Sequence, residues 1–137
     1  MINTDYMSHK LAILCGLIIL ALVSYTGCEI EEDNLKDPTI GFKESKGYTY
    51  NNTSVPVGDS VKIGIVAESN EVDNLIYFEV KLNEATIDSF SIDKPKLDVD
   101  MTITKSDAAT EVWKFKVIDD GERSDSVFLT LTKSSSR

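Results

Sequence analysis

Residues 97–103 read Leu97-Asp98-Val99-Asp100-Met101-Thr102-Ile103, four apolar side chains alternating with three polar ones without a break. A period of two places successive side chains on opposite faces of an extended chain, so this stretch is a strand with one face in a core and one in water. The same alternation continues outward in both directions. Toward the N-terminus, Val61, Ile63 and Ile65 alternate with Lys62, Gly64 and Val66 after a Val57-Gly58-Asp59 turn. Ile76, Phe78, Val80 and Leu82 then alternate with Tyr77, Glu79 and Lys81. Toward the C-terminus, Trp113, Phe115 and Val117 alternate with Lys114 and Lys116, and Val127, Leu129 and Leu131 with Phe128 and Thr130. A weaker strand over residues 86–92 and an N-terminal one within residues 40–50 bring the count to about seven. No helical period is sustained, and residues 106–111 have room for one turn at most.

Short strands separated by turn residues, with no helix long enough for a crossover, predict antiparallel pairing and an all-β sandwich over residues 39–132. Residues 133–137 form a polar tail. Trp113 reads as the largest plug of the core.

Ahead of the sandwich, residues 11–28 decide where the domain works. Lys10 supplies a positive flank, residues 11–23 are uncharged and apolar, and Ser24-Tyr25-Thr26-Gly27 places small residues before Cys28. This is the pattern of an export signal with a peptidase site. Asp5 interrupts the usual positive lead, and Met7 is the alternative start. Gly27-Cys28 at the end of the apolar run resembles a bacterial lipobox, with Tyr25 standing where that family carries Leu or another aliphatic. The resemblance implies removal of residues 1–27 and acylation, palmitate among the expected chains, of Cys28 as the first mature residue. Two other readings stay open: a retained membrane anchor, since the run approaches the roughly 20 residues that span a bilayer, and a plain secretory signal.

Residues 28–38 read as a lipidated cysteine and an acidic linker. Glu29, Glu31, Glu32 and Asp33 put four acids in five positions, and Pro38 precedes the first apolar segment. Acids directly after a lipidated cysteine resemble the surface-export signal of Bacteroidetes-type lipoproteins. That resemblance implies the cell-surface side of the outer membrane, with the periplasmic face as the alternative.

Cleavage before Cys28 leaves 110 residues, enough for one core and too few for two. It also discards Cys15 and His9, the only histidine. A mature chain with no His and no free Cys has no Ser-His-Asp triad, Cys-His pair or His/Cys zinc site. With 23 acidic and 14 basic residues the net charge is −9, and no basic stripe for a phosphate backbone is present. Nucleic acid is therefore not an expected partner.

The run from Val112 through Trp113, Phe115, Val117 and Asp119-Asp120-Gly121 to Ser126-Val127-Phe128-Leu129-Thr130-Leu131 resembles the last two strands of immunoglobulin-like and PKD-like domains. The likeness covers residues 40–132 and implies an antiparallel immunoglobulin-like β-sandwich. The antibody pattern is absent, because no cysteine pair is available and the tryptophan lies on the penultimate strand.

Three sets of surface residues are candidates for function. In such a sandwich the loop after the second strand and the last hairpin share an end, which gathers Glu68, Glu71 and Asp73 with Asp119, Asp120, Glu122 and Asp125. Calcium takes six to eight oxygens, so this cluster is a candidate calcium site, although no EF-hand loop is present. Leu75, Tyr77, Ile118 and Phe128 fall on the outward parity and are a candidate partner patch, unless a bulge turns some of them inward. Tyr48 and Tyr50, ahead of Asn51-Asn52-Thr53-Ser54, are either edge-strand residues or rings for a glycan. Asp59-Ser60-Val61 and Asp125-Ser126-Val127 resemble the Asp-Ser/Thr-aliphatic O-glycosylation sites of the same bacterial group. The expectation is a lipid-anchored, non-catalytic binding or assembly module of the envelope, with carbohydrate capture for a polysaccharide-uptake system, or a structural subunit role, as alternatives.

Overall fold

The computed structural model describes residues 36–70 and 72–135. The export signal, Cys28, the tether up to residue 35 and Glu71 lie outside the described residues. Among the described residues no helix is long and apolar enough to cross a membrane.

Eight strands occupy the described residues: β1 (Thr39–Phe42), β2 (Thr53–Val55), β3 (Ser60–Glu68), β4 (Leu75–Leu82), β5 (Ala85–Lys94), β6 (Lys96–Thr104), β7 (Thr110–Asp119) and β8 (Ser124–Lys133). One sheet has the order β1-β3-β6, the other β2-β8-β7-β4-β5. All pairings are antiparallel except that of β2 with β8. β1, β3 and β6 correspond to strands A, B and E of an immunoglobulin-like sandwich, and β8, β7, β4 and β5 to G, F, C and C′.

The core lies where the alternation placed it. Ile63 and Ile65 on β3 face Phe78 and Val80 on β4, Phe115 and Val117 on β7, and Leu129 and Leu131 on β8, all buried. Removing each such side chain from water contributes about 1.5–3 kcal/mol. Phe42 meets Phe115 edge-to-face, with ring centroids 5.8 Å apart and planes at 86°. Trp113 is buried among them, as a core plug should be. Pro38 is also fully buried, so packing begins one residue ahead of the first strand.

Two departures from simple alternation have physical causes. A bulge between Leu75 and Tyr77 interrupts the pairing of β4 with both of its neighbours. A bulge inserts one residue and reverses parity beyond it. Leu75 is therefore fully buried and Ile76 is 37% exposed, the opposite of the sequence-based assignment. The N-terminal strand stops at Phe42; the chain turns at residues 45–47, where Gly47 has φ 97° and Tyr48 N–H donates to the Ser45 carbonyl at 3.2 Å. It then crosses to the other sheet as the three-residue β2, too short for any period to register in the sequence.

Candidate functional site

The crossing from β1 to β2 carries the chain past the start of β3 and leaves an open cleft of about 520 Å³ beside it. Its walls are Tyr50, Asn51, Asn52, Ser54, Asp59 and Ser60, with Tyr48 at one side. The crossing segment is held by Lys43 N–H donating to the Gly64 carbonyl at 2.9 Å and Thr49 N–H to the Lys62 carbonyl at 2.7 Å. Asn52 Oδ1 accepts Thr130 N–H at 2.8 Å, which fixes the floor to β8. Tyr50 is 38% exposed. The cleft thus presents an aromatic surface beside amide, hydroxyl and carboxylate groups, a combination suited to a polyhydroxylated ligand.

Tyr48 has a different task from Tyr50. Its hydroxyl donates to Asp100 at 2.7 Å and accepts from Lys62 at 3.3 Å, while the Lys62 ammonium lies 4.5 Å and that of Lys43 5.5 Å from its ring centroid. Lys43 pairs with Asp98 and also with Asp100, at 2.7 Å to the latter, and Lys62 with Asp100 at 3.0 Å. Hydrogen bonds from Lys43, then Tyr48 and Lys62, hold the Asp100 carboxyl far below the usual carboxylate range. The Asp100 and Asp98 carboxylates in turn hold the Lys43 ammonium above its ordinary value. The Lys43 stem lies across Gly64, where an added Cβ would sit 2.8 Å from Lys43 Cγ and 2.9 Å from Cβ. Glycine at that position is what lets the lysine reach both aspartates.

At the opposite end the structure brings together the loops expected to meet, with a cation among them. Arg123 contacts Asp73, donates from Nε to Asp119 Oδ2 at 3.0 Å and from its backbone to Asp119 Oδ1 at 2.9 Å. Asp73 also accepts from Asn70 Nδ2 at 2.7 Å, and Asp120 from Asn74 N–H at 3.5 Å. Glu68 pairs with Lys96 at 2.8 Å, and Asp125 accepts Ile40 N–H at 3.2 Å. Glu122 stands in the hairpin turn with φ 62°, and Glu71 is outside the described residues. Among the described residues no three His, Cys, Asp or Glu side chains are grouped to hold a metal ion. Of the seven carboxylates proposed as calcium ligands, Asp73 and Asp119 are held by Arg123, Glu68 by Lys96, and Asp120 and Asp125 accept backbone N–H groups. Arg123 is legible in the sequence, between Glu122 and Ser124 in the last hairpin.

The candidate partner patch divides. Leu75 leaves it altogether, buried by the bulge in β4. Tyr77 and Ile118 are directly opposite one another and half-buried. Phe128 is 53% exposed and lies opposite Lys114, whose ammonium is 5.4 Å from its ring centroid. Ile118 pairs with Ser124, four residues from Phe128, a separation of about 13 Å along the strand. Lys116, Ser126 and Glu79 fill the interval, so the outer face carries two small apolar spots rather than one patch.

A buried polar cluster escaped the sequence reading. Glu111 and Lys105 are both 1% exposed and pair at 3.4 Å. Glu111 Oε1 accepts from Ser106 N–H at 2.8 Å and from the Ser106 hydroxyl, and Oε2 from Trp113 Nε1 at 3.4 Å. Lys105 donates to the Ser106 carbonyl at 3.0 Å and the Ala108 carbonyl at 2.5 Å. The signal was available in parity: Glu111 and Asp119 fall on the inward positions of β7, flanking Trp113, Phe115 and Val117. Of the two O-glycosylation-like serines, Ser60 is exposed beside the cleft and Ser126 is half-buried on β8.

No family model matches the chain, and no curated protein matches it. Solved structures similar in overall shape include the fibronectin(III)-like modules of Clostridium thermocellum CbhA, at 11% identity and TM-score 0.49, covering 72% of this chain and 100% of that one. The superoxide reductase (neelaredoxin) of Ignicoccus hospitalis is also similar, at 11% identity and TM-score 0.49, covering 73% of this chain and 82% of that one. At this level neither likeness bears on activity.

Proposed function

We propose that the chain is a non-catalytic binding module of a bacterial cell envelope, held to the outer membrane by lipid on Cys28, and that it takes a glycan in the cleft beside the β1–β2 crossing. The observation that carries the reading is the composition of that cleft: Tyr50 exposed next to the Asn51 and Asn52 amides and the Ser54 and Ser60 hydroxyls. Sugars present an apolar face of C–H groups and a rim of hydroxyls, which an aromatic ring with adjacent amides satisfies. The position is also favourable, because the cleft is built from backbone pinned to β3 and β8 rather than from a free loop. The acidic tether would hold the domain off the membrane, with anchoring worth about 0.8 kcal/mol per buried methylene of the acyl chain.

Calorimetric titration of the full chain with a panel of oligosaccharides tests the cleft. Binding is expected from at least one, weakened roughly three- to tenfold by Tyr50→Ala at an unchanged thermal midpoint. Binding that ignores Tyr50→Ala, or no binding across the panel at millimolar sugar, contradicts the reading.

A further inference from the structure

Among the residues lining the cleft beside the β1–β2 crossing, Asp59 alone carries a charge at neutral pH. It sits in the turn into β3, where Gly58 has φ 86° and Asp59 N–H donates to the Pro56 carbonyl at 3.2 Å. The backbone is fixed on its other side as well. The Asp59 carbonyl accepts Lys105 N–H and the Lys105 carbonyl accepts Gly58 N–H, both at 2.9 Å. The Asp59 side chain takes no part in these bonds. It is exposed, and its carboxylate has no hydrogen-bond or ion-pair partner among the described residues.

The cations joined to this region are matched elsewhere. Lys105, bonded to Asp59 through the backbone, is 1% exposed and turns its ammonium inward to Glu111 at 3.4 Å. On the Tyr48 side, Lys43 and Lys62 pair with Asp98 and Asp100. Among the described residues no lysine or arginine lines the cleft.

The neutral groups are partly engaged too. The Ser54 and Thr132 hydroxyls bond each other at 2.8 Å, as do those of Ser60 and Thr104. Asn52 Oδ1 accepts Thr130 N–H, which leaves its amide donors for a ligand. Against these, Asp59 offers two oxygens that only accept, and charge-assisted hydrogen bonds are the stronger kind. A ligand that donates hydroxyls to Asp59 is therefore held. One that brings a second carboxylate or a sulfate meets an uncompensated like charge, and the net charge of −9 acts in the same direction at longer range.

We infer that the cleft takes glycans free of acidic groups, with Asp59 as the residue that sets this specificity: it accepts sugar hydroxyls and turns away uronate and sulfate. The inference rests on the glycan reading of the cleft and adds the class of sugar. Such selection needs no steric block, because an unpaired charge against the wrong ligand suffices. Tyr50 meets the C–H face of either class alike, so the two residues have separable effects.

The test is calorimetric titration of the full chain with neutral glucose and mannose hexasaccharides of several linkages, each beside its counterpart oxidised at C6 to the uronate. Neutral sugars that bind are expected to do so at least about tenfold more tightly than their uronates at low salt. Sodium chloride at about 0.5 M should shrink the gap by screening. Asp59→Asn should narrow it to about threefold or less at an unchanged thermal midpoint, whereas Tyr50→Ala weakens both members of a pair alike. A uronate that binds the natural chain as well as its neutral counterpart does, or a gap that persists in Asp59→Asn and in high salt, overturns the role of Asp59 while leaving glycan binding in place. No binding by either member across the panel overturns the glycan reading itself, and this inference with it.

Discussion

Glu111 shows how a single buried acid can be required rather than tolerated. Burial opposes its ionisation, but the Ser106 hydroxyl and N–H, the Trp113 indole and Lys105 together hold its carboxyl below the usual carboxylate range. Replacing one partner of such a pair leaves the other charged and unmatched. Glu111→Ala is expected to cost about 3–5 kcal/mol in urea unfolding because the buried Lys105 loses its counter-charge. The sign of the pH dependence follows from the direction of the shift. A carboxyl depressed in the folded state adds stability above its unfolded pKa, near 4.3 for Glu, and that stability is lost as pH falls through the folded value. Unfolding of the natural chain should therefore become easier below about pH 4, and Glu111→Gln should flatten that slope while lowering stability at neutral pH. Melts from pH 3 to 7 with an unchanged slope in Glu111→Gln would contradict this account.

At the scale of elements, β4 and its turn to β5 carry the sharpest tests. If the bulge sets the parity, Leu75→Ala should destabilise by about 2–5 kcal/mol and Ile76→Ala by no more than about 0.5 kcal/mol. The reverse order would restore the uninterrupted alternation read from the sequence. The β4–β5 turn places Asn83 at φ 48° and Glu84 at φ 69°, a two-residue hairpin with both central residues left-handed. Asn suits that conformation and also bonds Val112 N–H through its side chain at 2.9 Å, whereas Glu does not suit it. Glu84→Gly should raise stability by up to about 1 kcal/mol, measured by thermal unfolding. β3, β6, β7 and β8 were legible because each has one face in the core and one outside, so composition alternates with the pleat. β2 was not, because three residues carry no period. The reversal at Leu75 was not, because a bulge is a backbone event without a residue signature here.

At the scale of the whole molecule, alternation and the absence of crossover helices sufficed for an all-β sandwich, whereas the functional surfaces depend on distances between segments far apart in sequence. Tyr48 and Tyr50 could be singled out by type, but their division of labour follows from Asp100, about fifty residues away, capturing Tyr48. The acidic loops could be placed at one end by topology, while the contacts of Arg123 with Asp73 and Asp119 follow only from the folded arrangement. The N-terminal apolar run and Cys28 carry the claim about location, and a direct measurement addresses them. Intact mass and protease accessibility would be compared between cells expressing the full chain and cells expressing Cys28→Ala. A lipid-sized mass increment on a chain beginning at Cys28, absent from the variant, is expected, with the sandwich shaved from intact cells; a full-length, unacylated chain would contradict lipid anchoring at Cys28.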